Sequence, residues 1–139
     1  MQVITSGVAG GAQSHLHALC HALAGRVELC AAIGSQDGRS ALGERLAPLG
    51  VTTFHLPALR NSTNPLRLRS AVRELRALMQ EWQPHVVHAH SSFAGAAARL
   101  AARQCGVPVV YTVHGFGFKR EAQPIVREMA WLGESLLAP

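Results

Sequence analysis

Short apolar segments alternate with longer segments of helical periodicity along this 139-residue chain. The apolar segments predict five strands, at 3–5, 27–33, 51–56, 86–89 and 109–113. The second is almost continuously apolar, which is typical of a strand buried on both faces of a parallel sheet. Strands that alternate with helices predict an α/β fold, a Rossmann-like parallel sheet with helices on both faces.

The segments between these strands carry helix signals. A first helix follows a glycine turn and ends at Gly25, and a short helix is predicted over 41–49. Asn64 and Pro65 form a helix start, so the longest helix runs from there to Gln83. The remaining helices are predicted over 94–105, where alanine dominates, and over 123–137.

The length suits one ordinary domain and is too short for two complete α/β domains. Hydrophobic residues make up 48% and charged residues 15%, which favours a packed core over disorder. The chain stops after the last predicted helix, where the alternation calls for a sixth strand. We therefore interpret 1–139 as a single truncated domain of a longer protein, and we expect its exposed apolar surface to favour self-association.

The formal net charge of +5 favours anionic partners such as phosphates or lipid headgroups. Arg69, Arg73 and Arg76 cluster on one arc of the longest predicted helix, either as a solvated face or as a surface for anionic lipid. Aromatic residues make up only 5% and do not alternate with basic ones, so nucleic acid is not an expected partner.

No signal peptide and no apolar run of about 20 residues is present, so no membrane span is predicted. The three cysteines are widely spaced and lack a Cys-x-x-Cys pair, so neither a disulfide framework nor a zinc site is indicated. These features fit a cytoplasmic protein. His17 and His21 have the spacing of two metal ligands, but no acidic residue completes the motif, and no metal is predicted.

Histidines stand where two predicted strands break into small residues: His88 and His90 at the fourth, His114 at the fifth. Ligands bind beyond the carboxyl ends of strands in open parallel sheets, and a histidine there can polarise a hydroxyl or take a proton. Alternation puts His88 and His90 on one face. We expect His90, at the strand end, to protrude furthest into the cleft, and His88 to be a satisfied core histidine.

The glycine turn after the first strand matches neither common phosphate-binding pattern. Gly7, Gly10 and Gly11 do not form Gly-x-Gly-x-x-Gly, and no Lys-Ser/Thr pair follows. Two interpretations stay open: the turn leads into a helix N-terminus that attracts an anion, or the glycines only permit a tight turn. A serine hydrolase is not indicated, because the chain has no Gly-x-Ser-x-Gly.

Three blocks together resemble the N-terminal half of a family 4 glycosyltransferase: Gly-Gly-Ala-Gln at 10–13, Trp-Gln-Pro-His-Val-Val-His-Ala-His-Ser-Ser-Phe-Ala-Gly at 82–95, and Gly-Val-Pro-Val-Val-Tyr-Thr-Val-His-Gly-Phe-Gly-Phe at 106–118. The resemblance implies a GT-B architecture of two Rossmann-like domains facing a cleft. It also implies transfer of a sugar from a nucleotide-sugar donor with retention, the N-terminal domain chiefly holding the saccharide acceptor. No cofactor is implied, because the nucleotide-diphosphate sugar is a substrate.

The resemblance places His90 near the transferred sugar, and we predict it as the catalytic residue. The substrate-binding residues that it implies, including those near the donor phosphates, are Gly10, Gly11, Gln13, Ser91, His114 and Gly115. The sequence departs from the family at Gln13 and Ser14, where an acidic and then a basic residue are usual, and at Phe93, where lysine is common. The donor-binding C-terminal domain is absent from this sequence, so we expect the chain alone to be inactive.

The histidine blocks most resemble members that build capsule, exopolysaccharide or lipopolysaccharide on lipid-linked acceptors. This resemblance implies work at the inner face of the plasma membrane, as a peripheral protein. A second hypothesis is a non-catalytic binding or assembly module that needs a separately encoded partner. A nucleotide-dependent oxidoreductase is disfavoured by the glycine spacing and by the lack of an acidic residue at the end of the second strand.

Overall fold

The structure, a computed structural model, describes residues 1–114. Within them five parallel strands form one sheet in the order β3-β2-β1-β4-β5. The elements, in chain order, are β1 (Gln2–Ile4), α1 (Gly11–Leu23), β2 (Cys30–Gly34), α2 (Ala41–Leu46), β3 (Thr52–Leu56), α3 (Pro65–Trp82), β4 (Val87–His90), α4 (Ser92–Cys105) and β5 (Val109–Thr112). The predicted Rossmann-like α/β fold is confirmed.

Two predicted boundaries differ from the structure by three residues, and the others differ by at most two. The second strand begins at Cys30 and not at residue 27, because the amide of Val27 bonds back to the carbonyl of Leu23 at the end of α1, and Val27 is 53% exposed. The short helix ends at Leu46 and continues as a 3₁₀ turn over Ala47–Leu49, since Pro48 has no amide to donate. The helix predicted over 123–137 lies outside the described residues.

Helices cover both faces of the sheet, as predicted. On one face, α1 and α2 bury Leu16, Cys20, Leu42 and Leu46 against Ile33 and its neighbours. On the other face, α3 and α4 pack on the opposite side chains of the same strands. The alanines of α4 that face the sheet are Ala94, Ala97, Ala98, Ala101 and Ala102, all fully buried. Small side chains let this helix lie close to the sheet, as expected for its composition.

Close packing between α4 and β5 depends on Gly95. A Cβ there would lie 2.7 Å from Cε2 of Tyr111, so the tyrosine ring rests directly on the helix backbone. The guanidinium carbon of Arg99 lies 4.8 Å from the centroid of the same ring. The ring and the glycine together hold the last described strand against its helix.

Local signals start the helices where the sequence places them. Asn64 Oδ1 accepts a hydrogen bond from the amide of Leu66 at 2.9 Å, and Pro65 occupies the first turn of α3. The arginines Arg69, Arg73 and Arg76 are exposed on α3. No helix among residues 1–114 is long and apolar enough to cross a membrane.

The three cysteines are free thiols in different surroundings. Cys20 and Cys30 are buried in the two cores, and burial raises the pKa of the Cys30 thiol to about 11. Cys105, at the end of α4, is half-buried.

Candidate functional site

The carboxyl edge of the sheet carries a reversal of strand order. β1 pairs with β2 on one side and with β4 on the other, so the connections leave in opposite directions at this point. Thr5 follows β1 and Ser91 follows β4, and their hydroxyls share a 3.1 Å hydrogen bond across 86 residues of sequence. Such a switch point opens a crevice, and ligands bind there in open α/β sheets.

Ser91 has a strained backbone. Its φ of 82° and ψ of 152° fall in a region that only glycine adopts freely. The residue joins β4 directly to α4, so the chain must reverse within one residue. Strain of this kind is common beside ligand-binding sites.

The backbone of Ser91 leads to a stability prediction. We expect the Ser91→Gly variant to be more stable than Ser91→Ala by about 1–2 kcal/mol, because both lose the hydroxyl but only alanine keeps the strain. Urea unfolding of the two variants measures this difference. At Ser92, the first residue of α4, we expect the opposite result. The Ser92→Ala variant should be more stable than Ser92→Gly, since glycine weakens a helix. Equal stability of the two Ser91 variants would contradict the strain.

The predicted anion site lies at the start of α1. Gly10 precedes the helix in extended conformation and Gly11 is its first residue; no side chain caps this end. The first amides of a helix have no helical acceptor, so they are available to an anion. The Gln13 side chain instead donates from Nε2 to the carbonyl of Ser6 at 2.9 Å, which holds it against the loop. That phosphate contacts form here stays a prediction.

A cavity of about 880 Å³ opens between the loops after β1, β2 and β3, and we call it the loop cavity. The half-buried cation of this cavity, Arg60, was not predicted from the sequence. The Nη1 atom of Arg60 is shielded from solvent and has no hydrogen-bond partner among residues 1–114. The polar residues that line the loop cavity are Thr5, Ser6, Ser35, Asp37, Arg39, Ser40, Glu44, Arg60 and Asn61.

Four histidines form a second feature at the same edge, which we call the histidine cluster: His15, His88, His90 and His114. The ring centroids of His88 and His90 are 4.2 Å apart, which confirms that both face the same side of β4. The ring centroids of His114 and His90 lie 5.3 Å apart, with their planes 24° from parallel. His15 comes from α1 and lies 5.2 Å from His114; sequence analysis did not single it out.

The burial of the two β4 histidines is the reverse of the prediction. His90 is fully buried, so the expectation that it protrudes furthest was wrong. It pairs in register with Ile4 of β1, whose side chain lies in the core on the α1 face. His88 is only half-buried, although it is satisfied as expected, through a 2.7 Å hydrogen bond between Nε2 and Oγ1 of Thr112.

Hydrogen bonds connect His90 to the surface. Its Nε2 lies 2.9 Å from Oε1 of the buried Gln2, and its Nδ1 lies 3.0 Å from Nε2 of the exposed His114. Burial lowers the pKa of His90 to about 3, and the neighbouring histidines add to the shift. Burial and then His15 lower the pKa of His114. The lowered pKa values of His88, His90 and His114 therefore favour neutral imidazoles at these three positions near neutral pH.

The predicted residues His17 and His21 lie outside the two features described above. His17 and His21 lie on α1, and in the part of the chain that the structure describes no three side chains are arranged to hold a metal ion. Gly115 lies outside the described residues. The structure thus brings Ser91, His90 and His114 to one edge of the sheet.

Comparison with known proteins gives a family match over most of the chain. A family model described as the glycosyl transferase 4-like domain matches residues 10–139. The EpsD protein of Bacillus subtilis (strain 168), named as a glycosyltransferase, is 35% identical over 86 residues, covering 60% of this chain and 22% of the relative. A UDP-Gal:alpha-D-GlcNAc-diphosphoundecaprenol alpha-1,3-galactosyltransferase of Escherichia coli is 36% identical over 78 residues, covering 55% of this chain and 20% of the relative.

The fold recurs in a solved structure. UDP-GlcNAc 2-epimerase from Neisseria meningitidis, bound to UDP-GlcNAc, superposes with a TM-score of 0.62 at 18% identity, covering 99% of this chain and 39% of that one. At this identity the likeness concerns the fold alone. The matched stretches span about a fifth of the length of the two relatives.

Proposed function

The chain belongs to the glycosyl transferase 4-like family, and from that premise we propose that it is the acceptor-side domain of a retaining glycosyltransferase. The proposed reaction moves a sugar from a nucleotide-sugar donor to a lipid-linked saccharide during synthesis of a cell-surface polysaccharide. One relative supports the acceptor class, since it is named for a diphosphoundecaprenol-linked acceptor, and the other is named only as a glycosyltransferase. Because those relatives are several times longer than the matched stretch, we propose that transfer needs more than these residues.

The observation that carries this proposal is the pairing of two unlike features at one edge of the sheet. The histidine cluster offers neutral imidazoles next to the end of β4, and the loop cavity offers a guanidinium beside the end of β3. Hydroxyls of Thr5 and Ser91 lie between the two strand ends. Sugar hydroxyls suit the first feature and phosphate oxygens suit the second.

His114 is better placed than His90 to contact a sugar. It is exposed, whereas His90 is enclosed, and its lowered pKa keeps it neutral and able to accept a hydrogen bond from a hydroxyl. We therefore assign the contact with the transferred sugar or the acceptor hydroxyl to His114. Gly10 and Gly11 stay our proposed contacts to the donor phosphates.

Arg60 is the proposed contact to the acceptor diphosphate. A guanidinium presents a planar fork that matches phosphate oxygens, Arg60 lines the loop cavity, and its Nη1 has no partner among the described residues. The exposed Asp37 and Glu44 line the same cavity, and their carboxylates would repel an anion that binds away from Arg60. The exposed arginines of α3, Arg69 among them, add a positive surface that suits the headgroups around a lipid-linked acceptor.

Calorimetric titration tests this proposal with a water-soluble short-chain prenyl diphosphate sugar. We expect Arg60→Gln to weaken its binding about 10- to 100-fold, because a hydrogen bond to a charged group is lost. Arg69→Gln on α3 removes the same charge outside the cavity and should bind nearly as the parent chain does. Unchanged binding by Arg60→Gln would exclude the proposed diphosphate contact. Tight binding of a UDP-sugar by the chain alone would contradict the acceptor-side assignment.

A further inference from the structure

We infer that Gln2 and His90 are positioning residues, whose hydrogen-bonded chain holds the exposed ring of His114 in one tautomer. In that tautomer Nε2 of His114 carries the hydrogen and Nδ1 is left as the acceptor. The hydrogen-bonded chain from Gln2 to His114 and its geometry do not depend on the proposed function. The consequence for sugar binding rests on that function.

The buried end of the hydrogen-bonded chain is the contact between Gln2 and His90. Oε1 of Gln2 is a carbonyl oxygen and can only accept, so the 2.9 Å contact requires Nε2 of His90 to carry a hydrogen and donate it. Both residues are almost completely enclosed, Gln2 at 5% exposure and His90 at 0%. Because both side chains are enclosed, water cannot replace either partner, and each depends on the other for this hydrogen bond.

The second step follows from the neutral state of His90. A neutral imidazole with hydrogen on Nε2 has only a lone pair on Nδ1. The 3.0 Å contact from Nδ1 to His114 therefore requires Nε2 of His114 to be the donor. Adding a proton to His90 would place two N–H groups against each other, and the enclosed ring has no exposed surface at which water could stabilise that charge.

The third step reaches the surface. Once Nε2 of His114 donates to His90, its Nδ1 is the ring's acceptor. A hydroxyl of a bound sugar can donate to Nδ1 without any proton being moved inside the protein. The 3.0 Å hydrogen bond between the two rings, whose planes differ by only 24°, also restrains the His114 ring from turning over. Gln2 thus acts on the substrate through two histidines and does not touch it.

Nitrogen-15 NMR of the chain tests the arrangement directly. We expect hydrogen on Nε2 of both His90 and His114, with a scalar coupling across the N–H···N contact between the two rings. Gln2→Met removes the acceptor, so the hydrogen of His90 should move from Nε2 to Nδ1, while Gln2→Glu retains an acceptor and should keep it on Nε2. Hydrogen on Nδ1 of His90, or no coupling in the parent chain, would overturn the inference even if the variants fail to fold.

Kinetics of the complete transferase add a second readout. We expect Gln2→Met to lower kcat about tenfold with little change in KM, with recovery in Gln2→Glu, since one aligned hydrogen bond is lost. In a His114→Ala background the same Gln2 change should have no further effect on kcat. A Gln2 effect that persists there would show a merely structural role. If the complete protein transfers no sugar at all, the proposed function fails while the NMR result still decides the inference.

Discussion

Replacing Gly34 with alanine is expected to lower the free energy of unfolding by at least about 3 kcal/mol, a large share of the stability of a domain this size. Gly34 ends β2 at the carboxyl edge of the sheet. A Cβ there would collide with the carbonyl oxygens of Leu59 and Thr5. Both obstacles are backbone atoms, from the chain after β3 and after β1, so neither can move aside by changing rotamer.

Urea unfolding followed by circular dichroism measures this loss. Gly11→Ala is the matched control, because a Cβ at Gly11 meets nothing within 4 Å and lies in the first turn of α1. We expect that variant to be as stable as the parent chain or slightly more so. A Gly34→Ala variant within about 1 kcal/mol of the parent chain would show that the three loops are not tightly joined. Because Gly34 and Thr5 also line the loop cavity, the collision would distort its wall as well.

Acidification is expected to destabilise the fold through His90. Its pKa is lowered from 6.5 to about 3, so the unfolded chain binds a proton between these values and the folded chain does not. Stability therefore falls as the pH drops below about 6.5, with a slope of up to about 1.4 kcal/mol per pH unit from this residue. The contribution is fully present above pH 6.5. Lowered pKa values of His88 and His114 add to the slope in the same direction.

Unfolding midpoints in urea between pH 7.5 and pH 4 measure this dependence. The His90→Gln variant cannot titrate at this position, so its stability should depend less steeply on pH than that of the parent chain, even if it is less stable at pH 7.5. His21→Gln, on the exposed face of α1, is the control and should leave the slope unchanged. Parallel curves for the parent chain and His90→Gln would show that His90 binds a proton as readily in the folded state as in the unfolded state.

Much of the architecture follows from local patterns. Apolar strands, the Asn64–Pro65 helix start and the alanines of α4 each act within a few residues, and the corresponding elements begin within three residues of their predicted positions. The resemblance drawn from the histidine and glycine blocks is likewise confirmed by the family match over residues 10–139.

The properties of individual site residues depend on distant partners and could not be predicted locally. His90 is buried because Gln2, 88 residues away in sequence, lies next to it and satisfies its ring. The strain at Ser91 arises where β4 meets α4 beside Thr5, and strand alternation contains no signal for it. Arg60 becomes notable only when three loops close a cavity around it. Periodicity predicts which face a residue lies on, while its burial depends on what the rest of the chain places there.

The positions of the three cysteines allow a spectroscopic label to be attached at a single site. Thiol reagents attack the thiolate, which burial suppresses at Cys20 and Cys30, whereas Cys105 is partly accessible at the end of α4. A maleimide dye should therefore attach at one position without any engineered substitution. That position lies next to Arg76 of α3, whose carbonyl is 4.0 Å from Sγ of Cys105. A single fluorophore there would report when the arginine-bearing surface meets a vesicle.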